Sequence, residues 1–393
     1  MAKLRSLHIF DSICQFGSIT EASQHIHVSQ PAMTQSLLKL ERMLGVKLFV
    51  RSQRMIMTDV GKLFHKRVRS GMLRLEEAVL KHGSPQVQSN PHLYRQISDS
   101  QLTALHAVLE MNSFKAAAES LNKTTSTVHR NFRSLEVLLE QKLADTRPNQ
   151  IRANAEGEAF YALSKLALRE FRQAQSDVEA WKGNFDEAFT VGALPLVQSS
   201  ILPRALLAFA QEFPQVTVSV VDGTYASMVR QMQRGEIDYV IGALRQSLMS
   251  DSIEQFPLFD DALIIVARIG HPLSKLKQIT LRDLAAYPWV MPRTASPSRA
   301  YFDRFYQSLN RPSHLQCPIE TGSFGVLRCI LQESDRLGII SAQQATYELQ
   351  RSILVKLDFP LENSTRAIGV ANRSGWFPSP PQSRFLELLG QRQ

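Results

Sequence analysis

At 393 residues the chain is long enough for more than one domain, and 45 Lys/Arg against 36 Asp/Glu leave a formal net charge of +9. Three cysteines, Cys14, Cys317 and Cys329, supply neither a disulfide framework nor paired metal-ligand spacing, and they suit a reducing compartment. The N-terminus lacks the long apolar run of a signal peptide and no later run would span a membrane, so a cytoplasmic protein without membrane contact is expected.

The charge is unevenly placed. Residues 1–82 carry 13 Lys/Arg against six acids, which is +7 of the total. A basic terminal module beside a near-neutral remainder suits phosphate binding.

Leu7, Phe10 and Ile13 form the apolar ridge of a first helix ahead of Gly17. Ser18 and Thr20 start a second, running to about His25, with Ala22 and Ile26 as its apolar stripe. Val28 closes a short turn, and Ser29 is placed as the cap of the next helix with Pro31 in its first turn. Met33, Leu37, Leu40 and Leu44 follow at steps of three and four, so that face is buried. Gln30, Ala32, Thr34 and Gln35 then point outward. Short hydrogen-bonding side chains plus one small apolar group are the chemistry that reads base edges in a major groove. Leu48, Phe49 and Arg51 lead into a short basic hairpin with Arg54 at its tip and Met57-Thr58 at its end, and Gly61 opens a long helix to about Lys81.

Taken in order, these positions resemble the winged helix-turn-helix of LysR-type transcriptional regulators. The resemblance implies a DNA-binding domain over 1–82. Ser29, Gln30, Pro31, Ala32, Thr34 and Gln35 would lie at the DNA, with Lys39, Arg51 and Arg54 gripping phosphates.

A Pro/Ser/Asn-rich stretch, Gly83 to Pro91, leads to a second copy over 95–182. A shift of 95 residues lays Leu102, Leu105 and Val108 over Leu7, Phe10 and Ile13, Ser113 over Ser18, and Leu135-Glu136 over Leu40-Glu41. A one-residue slip then matches Arg147 to Arg51 and Gly157 to Gly61. The copy departs where contact chemistry matters: Ser29-Gln30-Pro31-Ala32 becomes Thr124-Thr125-Ser126-Thr127, and Gly45 becomes Glu140. Residues 95–165 hold nine Lys/Arg and eight acids. A structural or dimerising unit is therefore favoured over a second reading head, although His129, Arg130 and Arg133 sit on its DNA-side helix. Phe160, Leu163, Ala167, Phe171, Ala174, Val178 and Trp181 step by three or four, as in the seam of a helix pair.

From Asp186 short strands alternate with helices, which implies parallel sheets with covering helices. Ile201-Leu202-Pro203, Phe213-Pro214, Gly235-Glu236-Ile237-Asp238 and His271-Pro272-Leu273 resemble the LysR effector domain. The expected fold is multidomain: two tandem all-α winged helix-turn-helix units, then an α/β two-lobed, periplasmic-binding-protein-like effector domain over 187–393. Lobe one would span 187–267 and 352–393, and lobe two 268–351.

Effectors of the family imply contacts from Ala193, Leu194, Pro195, Leu196 and Ser199 after the first strand, and from Arg293, Ser296, Ser323 and Phe324. Arg245 and Arg293 would clamp a carboxylate, on a small organic acid with an aromatic, unsaturated or sugar-like body. The resemblance further implies a non-enzymatic homodimer or homotetramer, with double-stranded DNA, RNA polymerase and the effector as partners and no cofactor or metal. Enzyme motifs for phosphate loops, nucleophile elbows and zinc helices are missing. His25, His27 and His271 read as turn or loop residues. The competing reading is a cytoplasmic solute-binding sensor whose helical units serve only oligomerisation.

Overall fold

The structure, a computed structural model, describes residues 2–51, 55–90, 92–147, 150–185, 187–245, 252–294, 296–310 and 319–390. The chain divides into two compact units, Met1–Glu187 and Ala188–Gln393.

In the first unit, helices α1 (Leu4–Phe16), α2 (Ile19–Ile26) and α3 (Gln30–Leu44) precede a hairpin of β1 (Phe49–Arg51) and β2 (Met55–Met57) and the long α4 (Asp59–His82). A short helix, α5 (Pro85–Gln88), forms inside the Pro/Ser/Asn-rich stretch and a 3-10 turn at Leu93–Gln96 follows it, with Val87 and Tyr94 buried. The same order then recurs: α6 (Asp99–Met111), α7 (Phe114–Ser120), α8 (Thr125–Leu139), the hairpin β3 (Ala144–Arg147) and β4 (Gln150–Ala153), and the long α9 (Ala155–Trp181).

Local chemistry repeats with the order. Buried Glu41 takes the amide of Leu48 at 2.9 Å, and buried Glu136 takes that of Leu143 at 2.9 Å, so each carboxylate ties a helix end to its hairpin. A Cβ added at Gly61 would collide with the Leu48 carbonyl, and one at Gly157 with the Leu143 carbonyl. Close approach therefore demands glycine at both places. The long helix begins earlier than the sequence suggests: the Thr58 hydroxyl accepts from Gly61 N at 3.0 Å, so a hydroxyl cap opens α4 at Asp59.

The long helices pair antiparallel inside one chain. His82 Nδ1 lies 2.7 Å from Glu156, Gly71 is covered by the Phe171 ring, and Arg67 reaches Glu170 and Asp177 at 3.5 and 2.8 Å. Phe64, Met72, Leu75 and Ala78 of α4, with Phe160, Ala167, Phe171, Ala174 and Val178 of α9, are buried in a core common to both copies. Trp181, at the end of the expected seam, is 57% exposed.

The second unit runs β5 (Ala188–Ala193), α10 (Pro195–Gln198), α11 (Ile201–Glu212), β6 (Thr217–Val221), α12 (Tyr225–Gln233), β7 (Tyr239–Ala243), β8 (Ile253–Asp261), β9 (Leu263–Arg268) and α13 (Leu281–Ala285). It continues with β10 (Trp289–Pro292), α14 (Pro297–Ser308), β11 (Ile319–Thr321), α15 (Phe324–Gln332), β12 (Leu337–Ser341), α16 (Ala342–Gln350), β13 (Leu354–Lys356), β14 (Arg366–Arg373) and α17 (Pro380–Gly390). Two five-stranded sheets form, ordered β6-β5-β7-β14-β8 and β11-β10-β12-β9-β13. In each, three parallel strands are extended through two antiparallel pairings, so that β14 in the first sheet and β9 in the second run against the other four strands.

The expected lobe limits need correction. All of β9 but Arg268 falls within 187–267, and β13 falls within 352–393, yet both strands belong to the second sheet. The chain therefore crosses between sheets at Ala262 and again between Lys356 and Arg366. An apolar run such as Leu263–Ala267 reads as a buried strand, but nothing in it says which sheet receives it.

Candidate nucleic-acid interface and ligand cleft

Helix α3 buries Met33, Leu37, Leu40 and Leu44 and leaves Gln30, Pro31, Gln35 and Lys39 exposed, with Ala32 and Thr34 half-buried beside them. Ser29 occupies the cap position, but its hydroxyl makes no cap hydrogen bond. Proline in the first turn starts the helix instead, which leaves that hydroxyl available at the surface. Arg51 contributes backbone to β1, and Arg54 lies outside the described residues. His25 stacks on Phe16 at 4.1 Å and His27 is the left-handed cap of α2, so both histidines serve the turn.

On α8 the inward face is Val128, Phe132, Leu135 and Leu139, while Thr124, Thr125, Ser126, His129 and Arg130 are exposed. Arg133 is held by the buried Glu136 carboxylate on its own helix. That leaves Arg130 as the cation presented outward from the first two turns.

In the second unit a cleft of ≈ 1020 Å³, part of it open to solvent, lies at the carboxyl ends of strands from both sheets. Leu194, Pro195, Leu196, Arg245, Arg293, Ser296, Ser323 and Phe324 all line it. Ala193 and Ser199 do not: Ala193 ends β5 with its Cβ in the core of the first sheet, and Ser199 is carried off by the single turn of α10. Ala295, inside the stretch expected at the cleft, lies outside the described residues.

Among the lining residues that sequence reasoning missed are Tyr225 and Arg366. Arg245 stacks on the Tyr225 ring at 4.7 Å. The Nε atoms of Arg245 and Arg366 and the hydroxyl of Tyr225 are buried without a hydrogen-bond partner among the described residues. Burial lowers the pKa of both guanidiniums, and for Arg366 the charge of Arg245 acts in the same direction, opposed by Asp261. Burial likewise raises the Tyr225 phenol. No Asp or Glu lines the cleft among the described residues. Nearby Arg299 shows the contrast, since Asp303 and Glu320 hold it at 2.7 and 2.6 Å. Arg366 sits at the start of a strand more than a hundred residues from Arg245, so no local pattern could pair them.

Among the described residues no His/Cys/Asp/Glu cluster could hold a metal ion, and no helix is long and apolar enough to cross a membrane. His271 is buried against Tyr287, accepts from Leu273 N at 3.2 Å, and has its pKa lowered by burial; it serves its loop.

A basic helix-turn-helix joined to a two-sheet ligand cleft defines a ligand-responsive DNA-binding protein. Comparison with known families makes that specific. The LysR substrate binding domain matches residues 182–393, and the bacterial regulatory helix-turn-helix protein, lysR family, matches 4–62 and again 100–158. The chain belongs to the LysR family of DNA-binding transcriptional regulators, which are not enzymes. The HTH-type transcriptional regulator GalR of Pseudomonas putida is 28% identical over 395 aligned positions, covering 100% of this chain and 97% of that protein. Two solved structures share the fold. Full-length OxyR from Pseudomonas aeruginosa, as a variant, has a TM-score of 0.54 at 18% identity, covering 74% of this chain and 92% of that one. Full-length CbnR in complex with its target DNA has a TM-score of 0.51 at 20% identity, covering 74% and 97%.

Proposed function

We propose that this regulator is switched by a small organic anion, a carboxylate on an aromatic, unsaturated or sugar-like body, bound in the cleft between the two sheets. The observation that carries this reading is the set Arg245, Arg293 and Arg366 around one cleft that no Asp or Glu lines among the described residues. Buried guanidinium donors without partners are costly unless a ligand supplies the acceptor. Leu194, Pro195, Leu196 and Phe324 give the same cleft an apolar wall, which suits the carbon body of such an acid.

The two sheets are the lobes of a periplasmic-binding-protein-like domain, joined by the crossings at Ala262 and after Lys356. An anion bridging them would favour one lobe angle over another by differential affinity. That shift would change how the DNA-binding unit bends its operator, with Gln30, Thr34 and Gln35 at base edges and Lys39, Arg51 and Arg54 at phosphates. RNA polymerase would read the outcome. Both copies in the first unit would act as winged helix-turn-helix domains, over 1–82 and 95–182, ahead of the effector domain over 187–393.

Thermal unfolding of the full chain with benzoate, fumarate or glucuronate, against neutral benzyl alcohol, tests the anion. At least one acid should raise Tm where the alcohol does not. Arg245→Met should then weaken that acid about tenfold or more, the loss expected for a charge-assisted hydrogen bond. Equal shifts from the acids and the alcohol would sink the reading.

A further inference from the structure

The two helical copies are not strung along the chain; they face each other across a two-fold axis. Leu4 and Asp99 are equivalent at the 95-residue shift, and they touch: Leu4 N donates to Asp99 Oδ1 at 3.0 Å. A residue that contacts its own equivalent lies on the axis relating the copies. The far ends are reciprocal as well. Beyond α4, Ser84 N donates to the Leu139 carbonyl at the end of α8 at 2.9 Å. Beyond α9, Lys182 Nζ donates to the Leu44 carbonyl at the end of α3 at 3.2 Å. Each long helix thus closes the DNA-side helix of the other copy.

The pairing also discriminates against a second copy of either helix. At the 96-residue offset of the long helices, Glu170 and Asp177 correspond to Arg74 and Lys81, and Arg67 corresponds to Leu163. In the α4·α9 pair, Arg67 is 2% exposed and lies between two buried carboxylates. Pairing α4 with another α4 would set Arg67 against Arg74 and Lys81. Pairing α9 with another α9 would set the carboxylates Glu170 and Asp177 against Leu163 in place of Arg67. Buried charge of this kind is a weak source of stability but an effective selector of partner.

Two-fold DNA-binding modules place two helices on two half-sites about one helical turn, or a multiple, apart. On α8 the exposed run from Thr124 to Arg130 is hydroxyls, one imidazole and one guanidinium, without a carboxylate that phosphate would repel. The near-neutral charge of this copy is no obstacle, because the basic first copy brings it to the duplex and its docking is then intramolecular.

We infer that one chain carries both halves of a two-fold DNA-binding module, with α3 and α8 facing two half-sites of unlike sequence and α4 paired to α9 of the same chain. This deepens the assignment of α3 to DNA and rests on it. The test is selection of duplexes from a random pool by the full chain, followed by hydroxyl-radical footprinting. Wild type should select two unlike half-sites. Gln30→Ala/Gln35→Ala should relax one half, and Thr125→Ala/Arg130→Ala the other, each weakening the full site about tenfold or more. A footprint and selected sequence unchanged by Thr125→Ala/Arg130→Ala overturns the second reading head. Insensitivity to Gln30→Ala/Gln35→Ala alone breaks the α3 assignment instead, which separates the two failures. For the pairing, His82→Cys/Glu156→Cys in a chain with Cys14, Cys317 and Cys329 replaced by serine is bridged with a short bis-maleimide. Bridged product should run as one chain on a denaturing gel, and a bridged dimer would refute intrachain pairing.

Discussion

Where the first copy buries Met33, Leu37, Leu40 and Leu44, the second buries Val128, Phe132, Leu135 and Leu139 at the same steps. On the opposite faces Gln30, Thr34 and Gln35 give way to Thr125, His129 and Arg130. Even the helix starts differ in chemistry. Helix α3 uses Pro31 and leaves Ser29 without a cap bond, whereas α8 has no proline and Thr124 accepts from Thr127 N at 3.3 Å. Glu140 takes the left-handed cap that Gly45 occupies in the first copy, with φ 47 against 69. Packing density holds an interior to near-constant volume, while an exposed position answers only to its partner. The buried faces therefore stayed alike in character, and the outer faces were free to diverge in what they touch.

Three perturbations sharpen that comparison, beginning with the place where the copies are least alike. Arg67→Leu strands Glu170 and Asp177 in the interface, and removing one partner of a buried ion cluster costs about 3–5 kcal/mol. Urea unfolding of the full chain should show the loss in the helical unit's transition. The same change at Arg74, which stands where α9 has Glu170, should be much milder. If both were equal, the charge cluster would not be what distinguishes the two helices.

The glycines test where the copies are most alike. Gly61→Ala and Gly157→Ala each drive a methyl group into a carbonyl, of Leu48 and of Leu143. Each should cost about 1–3 kcal/mol by overpacking, and the two losses should agree within about 0.5 kcal/mol if the junctions are equivalent. A large gap between them would show that one hairpin can move aside.

Acid probes each copy through a histidine of its own, His8 buried and His106 half-buried. Burial depresses His8, close to Tyr94 at 5.3 Å, to about 4, and His106, 2.9 Å from Ser164, also to about 4. In the unfolded chain both titrate near 6.5. Unfolded protein thus binds more protons between those limits. The contribution of the neutral histidines is complete above about pH 6.5 and is lost as pH falls toward 4, at roughly 1.4 kcal/mol per pH unit for each. Unfolding free energies measured at pH 7, 6, 5 and 4.5 should decline with that slope. His8→Leu should flatten it by about half, and an unchanged slope would show that His8 is not titrating on unfolding.

The sequence by itself determined the order of elements in both helical copies, the burial of most of their three- and four-step stripes, with Leu163 and Trp181 among the exceptions, and the existence of an internal repeat. Those signals are local, since a helix face is set by residues a turn apart. It also brought out the loops on which Leu194, Pro195, Leu196, Arg293, Ser323 and Phe324 stand, through resemblance to a family with that loop order. Only the tertiary structure decided that α9 pairs with α4 of its own chain, because a heptad-like stripe does not name its partner. It alone assigned β9 and β13 to the second sheet, since a buried strand carries no mark of the edge it joins. The meeting of Arg245, Tyr225 and Arg366 in one cleft is of the same kind. Three residues separated in the chain become one chemical group only when the loop after β7, the start of β14 and the start of α12 converge.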